Sequence, residues 1–230
     1  GDEWVSGAVR DATYELLLRP RGTPWREVVE IGPGSGKYTD MLLAQPGVHL
    51  TAFEISPAFI DSLKERCAAH VEAGRLDARL IDWTANDGLV KALGARAGAI
   101  DLFFGIDVFL MMDFQSALVY LLSAALVLRP GGVFAGTFGD ADSESGWARM
   151  VRDIGRHSGF DDAPCTRFHW VGHQMLRASL ERLGFAVRTL VSGPEGAARL
   201  GPLDIARIYV VAELIDPEPS RALKASLFPS

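Results

Sequence analysis

Cysteine is scarce. The chain of 230 residues holds two, Cys67 and Cys165, far apart and outside any CxxC or Cys/His finger spacing. That excludes a disulfide framework and a structural zinc site, and it fits a reducing cytosol, so the location expected is cytoplasmic. Long apolar runs are lacking too: nothing approaches the ~20 residues that cross a bilayer, so no membrane partner is expected. Positive charge is in deficit. Lys and Arg total 23 against 29 Asp and Glu, a formal net charge of −6. An acidic surface repels phosphate backbones and makes nucleic acid a poor partner. The chain opens on Gly1 with no charged-then-apolar leader, as a trimmed chain or a domain of a longer protein would.

What is present is an alternation of apolar runs and amphipathic stretches. Strands are expected at 27–31, 48–55, 76–82, 99–106, 132–138, 185–191 and 204–214. Between most of them lie helical patterns. Ser56 and Pro57 suit an N-cap and first turn, followed by Phe59, Leu63, Cys67 and Val71 at spacing four. Asp113 opens another, which stops at "RPGG" (129–132). Alternating strands and helices imply an α/β fold: a Rossmann-like, seven-stranded, mostly parallel sheet with helices on both faces. The last two strands are joined by about a dozen residues with no strong helical face, too little for a parallel crossover, so the last strand is expected antiparallel. Length and composition favour one domain over 1–230, with an N-terminal helical cap at about 1–24 and a lid insertion at about 139–172.

The stretch "VVEIGPGSGKYTDML" (28–42) carries the chemistry. A nucleotide phosphate loop needs a glycine where Ile31 stands and a hydroxyl where the bulky Tyr38 stands, so that reading fails twice. The dinucleotide fingerprint needs a third glycine where Lys37 stands. The pattern present is Glu-x-Gly-x-Gly-x-Gly, on Glu30, Gly32, Gly34 and Gly36. In that spacing the chain resembles the class I methyltransferases that use S-adenosylmethionine (SAM). The resemblance spans about 25–138, including "IDLFFGIDVFLMMD" and the "LRPGG" turn (128–132); "FHW" (168–170) is similar to some small-molecule members.

The resemblance implies SAM as cofactor. Glu30, at the end of the first strand, would compensate the amino-acid ammonium. Glu54, at the end of the second, would accept the ribose hydroxyls, and Asp82, at the end of the third, the adenine amine, with Trp83 beside the ring. Tyr38, Ile55 and Gly105 complete the expected cofactor contacts. Each acid alone could be a solvated strand end or a helix cap; their order after three successive strands is what favours a common site.

The Asn/Asp-Pro-Pro-Tyr of nucleic-acid amino methyltransferases is missing; "GIDVF" stands there. A small molecule is the expected partner, held under a lid rich in aromatics (Trp4, Trp147, Phe160, Phe168, Trp170) that can equally form a small core of its own. Oxygen is preferred over nitrogen as the receiving atom, in a setting such as secondary metabolism. The alternatives are N-methylation of a small molecule or peptide, and a NAD-dependent oxidoreductase. Relatives often place a histidine where Met111 stands, so the base is sought elsewhere: His169, His173 and Asp107 are the catalytic candidates, with His157 behind them. No metal is expected, and a homodimer is left open.

Overall fold

In the computed structural model, residues 6–20, 22–81, 88–157, 168–204 and 206–227 are described. Eight strands occur among them: β1 (Glu27–Ile31), β2 (His49–Glu54), β3 (Leu76–Leu80), β4 (Ile100–Gly105), β5 (Leu128–Asp140), β6 (Trp170–Val171), β7 (Phe185–Ser192) and β8 (Arg207–Leu214). The sheet runs β3-β2-β1-β4-β5-β8-β7, with β6 paired alongside the end of β5. β1 to β5 are parallel, and β8 is antiparallel to both β5 and β7. The expected α/β sheet with one reversed strand is therefore observed, plus the two-residue strand Trp170–Val171.

The helices are α1 (Gly7–Thr13), continued by a π-helical turn over Tyr14–Leu18, α2 (Lys37–Leu43), α3 (Pro57–Arg66), α4 (Ala68–Glu72), α5 (Gly88–Leu93), α6 (Phe114–Val127), α7 (Glu144–His157), α8 (His173–Arg182), α9 (Gly193–Leu200) and α10 (Glu218–Leu227). Three departures from expectation have local causes. The stripe from Phe59 to Val71 is two helices, broken at Cys67 where φ is −106° and ψ 26°. The β7–β8 connection holds a helix, α9, because the Ser192 hydroxyl caps the Glu195 amide and a proline occupies the first turn. α10 closes the described chain, and its Ser220 hydroxyl donates to the Leu183 carbonyl. Among the described residues no helix is long and apolar enough to cross a membrane.

Period-two alternation sends the two faces of the sheet into two cores. Val29, Phe103, Phe134, Ile208 and Val210 face one layer, with α6 and α8 over it. Val28, Leu102, Phe104, Ala135 and Tyr209 face the other, with α2 and the N-terminal turns. Glu30 shares the second face with Val28, and Arg207 shares it with Tyr209. Two charged residues thus sit at the strand ends above one apolar layer, on opposite sides of β4 and β5.

Candidate active site

The glycine turn follows β1. The Gly32 amide donates to the Phe53 carbonyl at 2.9 Å and the Gly36 amide to the Pro33 carbonyl at 2.9 Å, which folds the chain back before α2. Gly36 has φ +85°, and a Cβ there would lie 2.4 Å from Leu63 Cδ1. Gly34, at φ +55°, has nothing within 4 Å of where a Cβ would stand. The first glycine lets a helix approach; the second opens onto a cavity.

That cavity has a volume of about 340 Å³. One wall is the glycine turn with Glu30, Ser35, Lys37 and Tyr38; the other is Phe59, Asp107, Leu110, Met111, Phe168 and Arg207. Glu30 is buried. Its Oε2 accepts from the Thr39 hydroxyl at 2.5 Å, and its Oε1 has no hydrogen bond among the described residues. Burial pushes its carboxyl up to about 8, against the pull of the Thr39 bond, and the Glu54 charge adds to the rise. Burial likewise raises the Tyr38 phenol, whose bond with Thr13 works the other way.

Glu54 ties β2 to the glycine turn. Its Oε1 accepts from the Ile55 and Ser56 amides at 2.8 and 3.0 Å, and its Oε2 from the Gly34 amide at 3.2 Å. It braces the cavity wall from behind.

On the opposite wall, Asp107 is the only non-glycine among the described residues with positive φ, +58°. Its amide donates to the Thr137 hydroxyl at 2.7 Å, and its Oδ1 accepts from Arg207 Nε at 2.9 Å. Arg207 also lies 3.4 Å from Asp204 and packs over the Phe168 ring at 5.3 Å; Arg149 packs over the same ring at 4.7 Å.

The cavity unites five of the residues expected from sequence: Glu30, Gly32, Gly34, Tyr38 and Asp107. Gly36, Glu54 and Gly105 support it without lining it; a Cβ on Gly105 would meet Val108 Cγ1 at 2.6 Å. Ile55 is half exposed and also off the wall. Asp82 and Trp83 lie outside the described residues, as do Trp4 and Phe160. His169 and His173 do not line the cavity. The His169 amide is bound to the Leu110 carbonyl at 2.7 Å. His173 begins α8 with its Nε2 3.3 Å from Asp140 Oδ1, and its amide donates to Asp142 at 2.6 Å. The His173–Asp140 contact is close without hydrogen-bond geometry, since Nε2 and Asp140 Oδ2 are both left unpartnered. Trp147 is exposed on α7. Arg207, Thr39 and Thr137 were not foreseen. Arg207 opens a strand whose next five residues are uncharged, and a charge at that place was the only signal.

The residues present suit SAM: a glycine-rich turn for its amino-acid end, and a buried carboxyl with one oxygen unbonded among the described residues for its ammonium. Residues 29–134 match the family model described as "Methyltransferase domain". A release factor glutamine methyltransferase of Cereibacter sphaeroides is 32% identical over 127 residues, covering 54% of this chain and 42% of that one. The chain thus spans under half the length of that curated relative. Two solved structures share the fold. "Pyocyanin Biosynthetic Protein PhzM" has a TM-score of 0.60 at 17% identity, covering 88% of this chain and 54% of the other. The magnesium protoporphyrin IX methyltransferase ChlM of Synechocystis PCC 6803, solved with bound SAH, has a TM-score of 0.58 at 17% identity, covering 83% and 74%. The fold is the class I fold of SAM-dependent methyltransferases, and the match to the methyltransferase-domain model falls on its first five strands.

Proposed function

We propose that the chain moves a methyl group from SAM to a small, partly apolar organic acceptor. The observation that carries this is the shared cavity. Its first wall offers a glycine turn and a carboxyl group able to hold the cofactor's amino-acid end. Its second wall offers aromatic and aliphatic side chains, Phe168, Leu110 and Met111, to an acceptor. Bound SAM supplies an activated methyl on a sulfonium. The protein's share is to hold the acceptor atom ~3 Å away, in line, with water excluded. Glu54 keeps the Gly34 amide fixed, and Glu30 gains a countercharge when a cationic end enters.

Oxygen remains the first reading for the receiving atom, and a neighbouring fold is that of an O-methyltransferase family protein from Burkholderia thailandensis. A second reading, transfer to nitrogen, is favoured by one observation: neither His169 nor His173 lines the cavity. A neutral amine has its lone pair available without a base, whereas an alcohol needs one. The relative that acts on a release factor makes a protein acceptor the rival, but the acceptor-side wall lies in a cavity of modest size rather than on an open face.

Calorimetry with S-adenosylhomocysteine (SAH) and with NADH tests the reading. Micromolar binding of SAH and none of NADH is expected. Saturable NADH binding with no SAH binding would replace it by the oxidoreductase alternative.

A further inference from the structure

Asp107 holds a conformation that side chains rarely take. Its backbone is left-handed, which Asp tolerates better than most residues, and such outliers mark functional positions more often than chance. Three ties hold it there. Its amide is bound to Thr137, its Oδ1 to Arg207, and Arg207 is anchored in turn by Asp204 and the Phe168 ring. Oδ2 has no hydrogen bond among the described residues. The Asp107 side chain is 39% exposed while that of Arg207 is 9% exposed, and both line the cavity. The carboxylate is therefore clamped on one oxygen and open on the other.

Topology says what the open oxygen faces. The sheet order β3-β2-β1-β4-β5 puts the glycine turn over β1 and Glu54 at the end of β2. A cofactor whose amino-acid end meets Glu30 and whose ribose runs toward β2 turns its sulfur's free side toward β4. Asp107 lies two residues beyond β4.

We propose that Asp107 receives the acceptor's hydrogen-bond donor beside the transferred methyl, that Arg207 is the positioning residue that aims it, and that the acceptor is a small amine bearing an N–H. This deepens the second reading of the proposed function, transfer to nitrogen, and rests on SAM binding in this cavity. An oxygen with only lone pairs to offer requires a donor. A primary or secondary amine supplies N–H to Oδ2 and turns its lone pair to the methyl carbon. A deprotonated oxygen acceptor would meet a like charge. In the transfer the nitrogen lone pair forms the N–CH3 bond and the C–S pair returns to sulfur, leaving SAH. The nitrogen's extra proton, held by Asp107, passes to water.

Sinefungin tests this without knowing the acceptor, because it carries an amine where SAM carries its methyl, on a carbon that stands in place of the sulfur. The protein is expected to bind sinefungin about tenfold or more tightly than SAH, the size of a hydrogen bond to a charged group. Asp107→Asn should cut that preference below about threefold and leave SAH affinity within about threefold, since Arg207 will hold the amide oxygen and turn its NH2 to the cavity. Arg207→Met should lose the preference and Arg207→Lys regain part of it, a rescue that a merely structural arginine would not show in the ratio. If Arg207→Met fails to fold, the other two variants decide. Normal SAH binding with no sinefungin preference, or a preference that survives Asp107→Asn, overturns the inference and leaves the proposed function standing. Failure to bind either nucleoside removes both.

Discussion

Glu30 carries its charge only reluctantly. Burial lifts its carboxyl to about 8 from an ordinary 4.5, so the folded chain keeps a proton that the unfolded chain releases. The sign follows directly. Stability from this group is complete below about 4.5 and is lost as pH rises through about 8. Glu30→Gln should flatten that loss: between pH 5 and 9 its unfolding midpoint should fall less than that of the parent, by several degrees, in thermal melts. A ligand ammonium reverses the preference. At pH 7, SAH binding measured in two buffers of different ionisation enthalpy should release close to one proton per ligand, and Glu30→Gln should release none. Glu30, Gly32, Gly34 and Asp107 were legible because they sit at strand ends in a spaced pattern. Arg207 was not: its partner Asp107 lies one hundred positions earlier, and only strand pairing brings them together. His169 and His173 stand off the cavity, the first with its amide bound to Leu110 and the second at the start of α8. Nearness in sequence to a lid says nothing about which way a helix start points, and the start of α8 points at Asp140.

Elements fail or hold at their joints. In the glycine turn, two substitutions of equal chemistry should differ in kind. Gly36→Ala drives a Cβ into Leu63 at φ +85° and should cost about 2–3 kcal/mol in denaturant melts, through overpacking and backbone strain together. Gly34→Ala meets open space, so only the strain remains, about 1 kcal/mol. Its methyl enters the cavity instead, and SAH affinity should drop more than stability does. A second joint is Asp101 on β4. Its Oδ2 accepts from the Arg26 and Glu27 amides at 2.8 and 2.9 Å, and its Oδ1 from Arg129 at 2.7 Å, pinning the starts of β1, β4 and β5. Burial works to raise this carboxyl, but Arg129 and the two amides outweigh it and hold it below the ordinary 3.8. Its stabilisation is thus present above 3.8 and lost as pH falls through the lowered value. Asp101→Asn should cost about 2 kcal/mol at pH 7 in urea melts, with the difference shrinking in acid. Strand cores were legible from their apolar runs. α9 was not, since its caps are a single serine and proline and only partial burial of one face sustains it. The break at Cys67 also escaped a reading that counted only every fourth residue.

At the scale of the whole molecule, the cavity belongs to no single segment. Its walls come from the turn after β1 and the start of α2, Phe59 of α3, the turn after β4, Phe168 two residues before β6, and the first residue of β8. The parallel run of β1 to β5 was legible from the alternation of strand and helix; the antiparallel pairing of β7 with β8 was expected from a connection without a helical face, and it is observed although that connection holds α9, while the insertion of β8 between β5 and β7 was not legible. A site assembled this way couples occupancy to global stability, because unfolding any wall destroys it. SAH at one hundred times its dissociation constant should add about 2.7 kcal/mol, which for a domain of this size raises the unfolding midpoint by roughly 5–11 °C in calorimetric scans. NADH at the same concentration should add nothing. Glu54→Gln separates bracing from binding: the amide keeps an oxygen for the Ile55 and Ser56 amides but turns a donor toward the Gly34 amide. Its midpoint without ligand should fall by only a few degrees, while the rise produced by SAH should shrink to under half, since the Gly34 amide of the turn is no longer held. An unchanged rise would mean that the carboxylate serves the sheet and not the nucleoside.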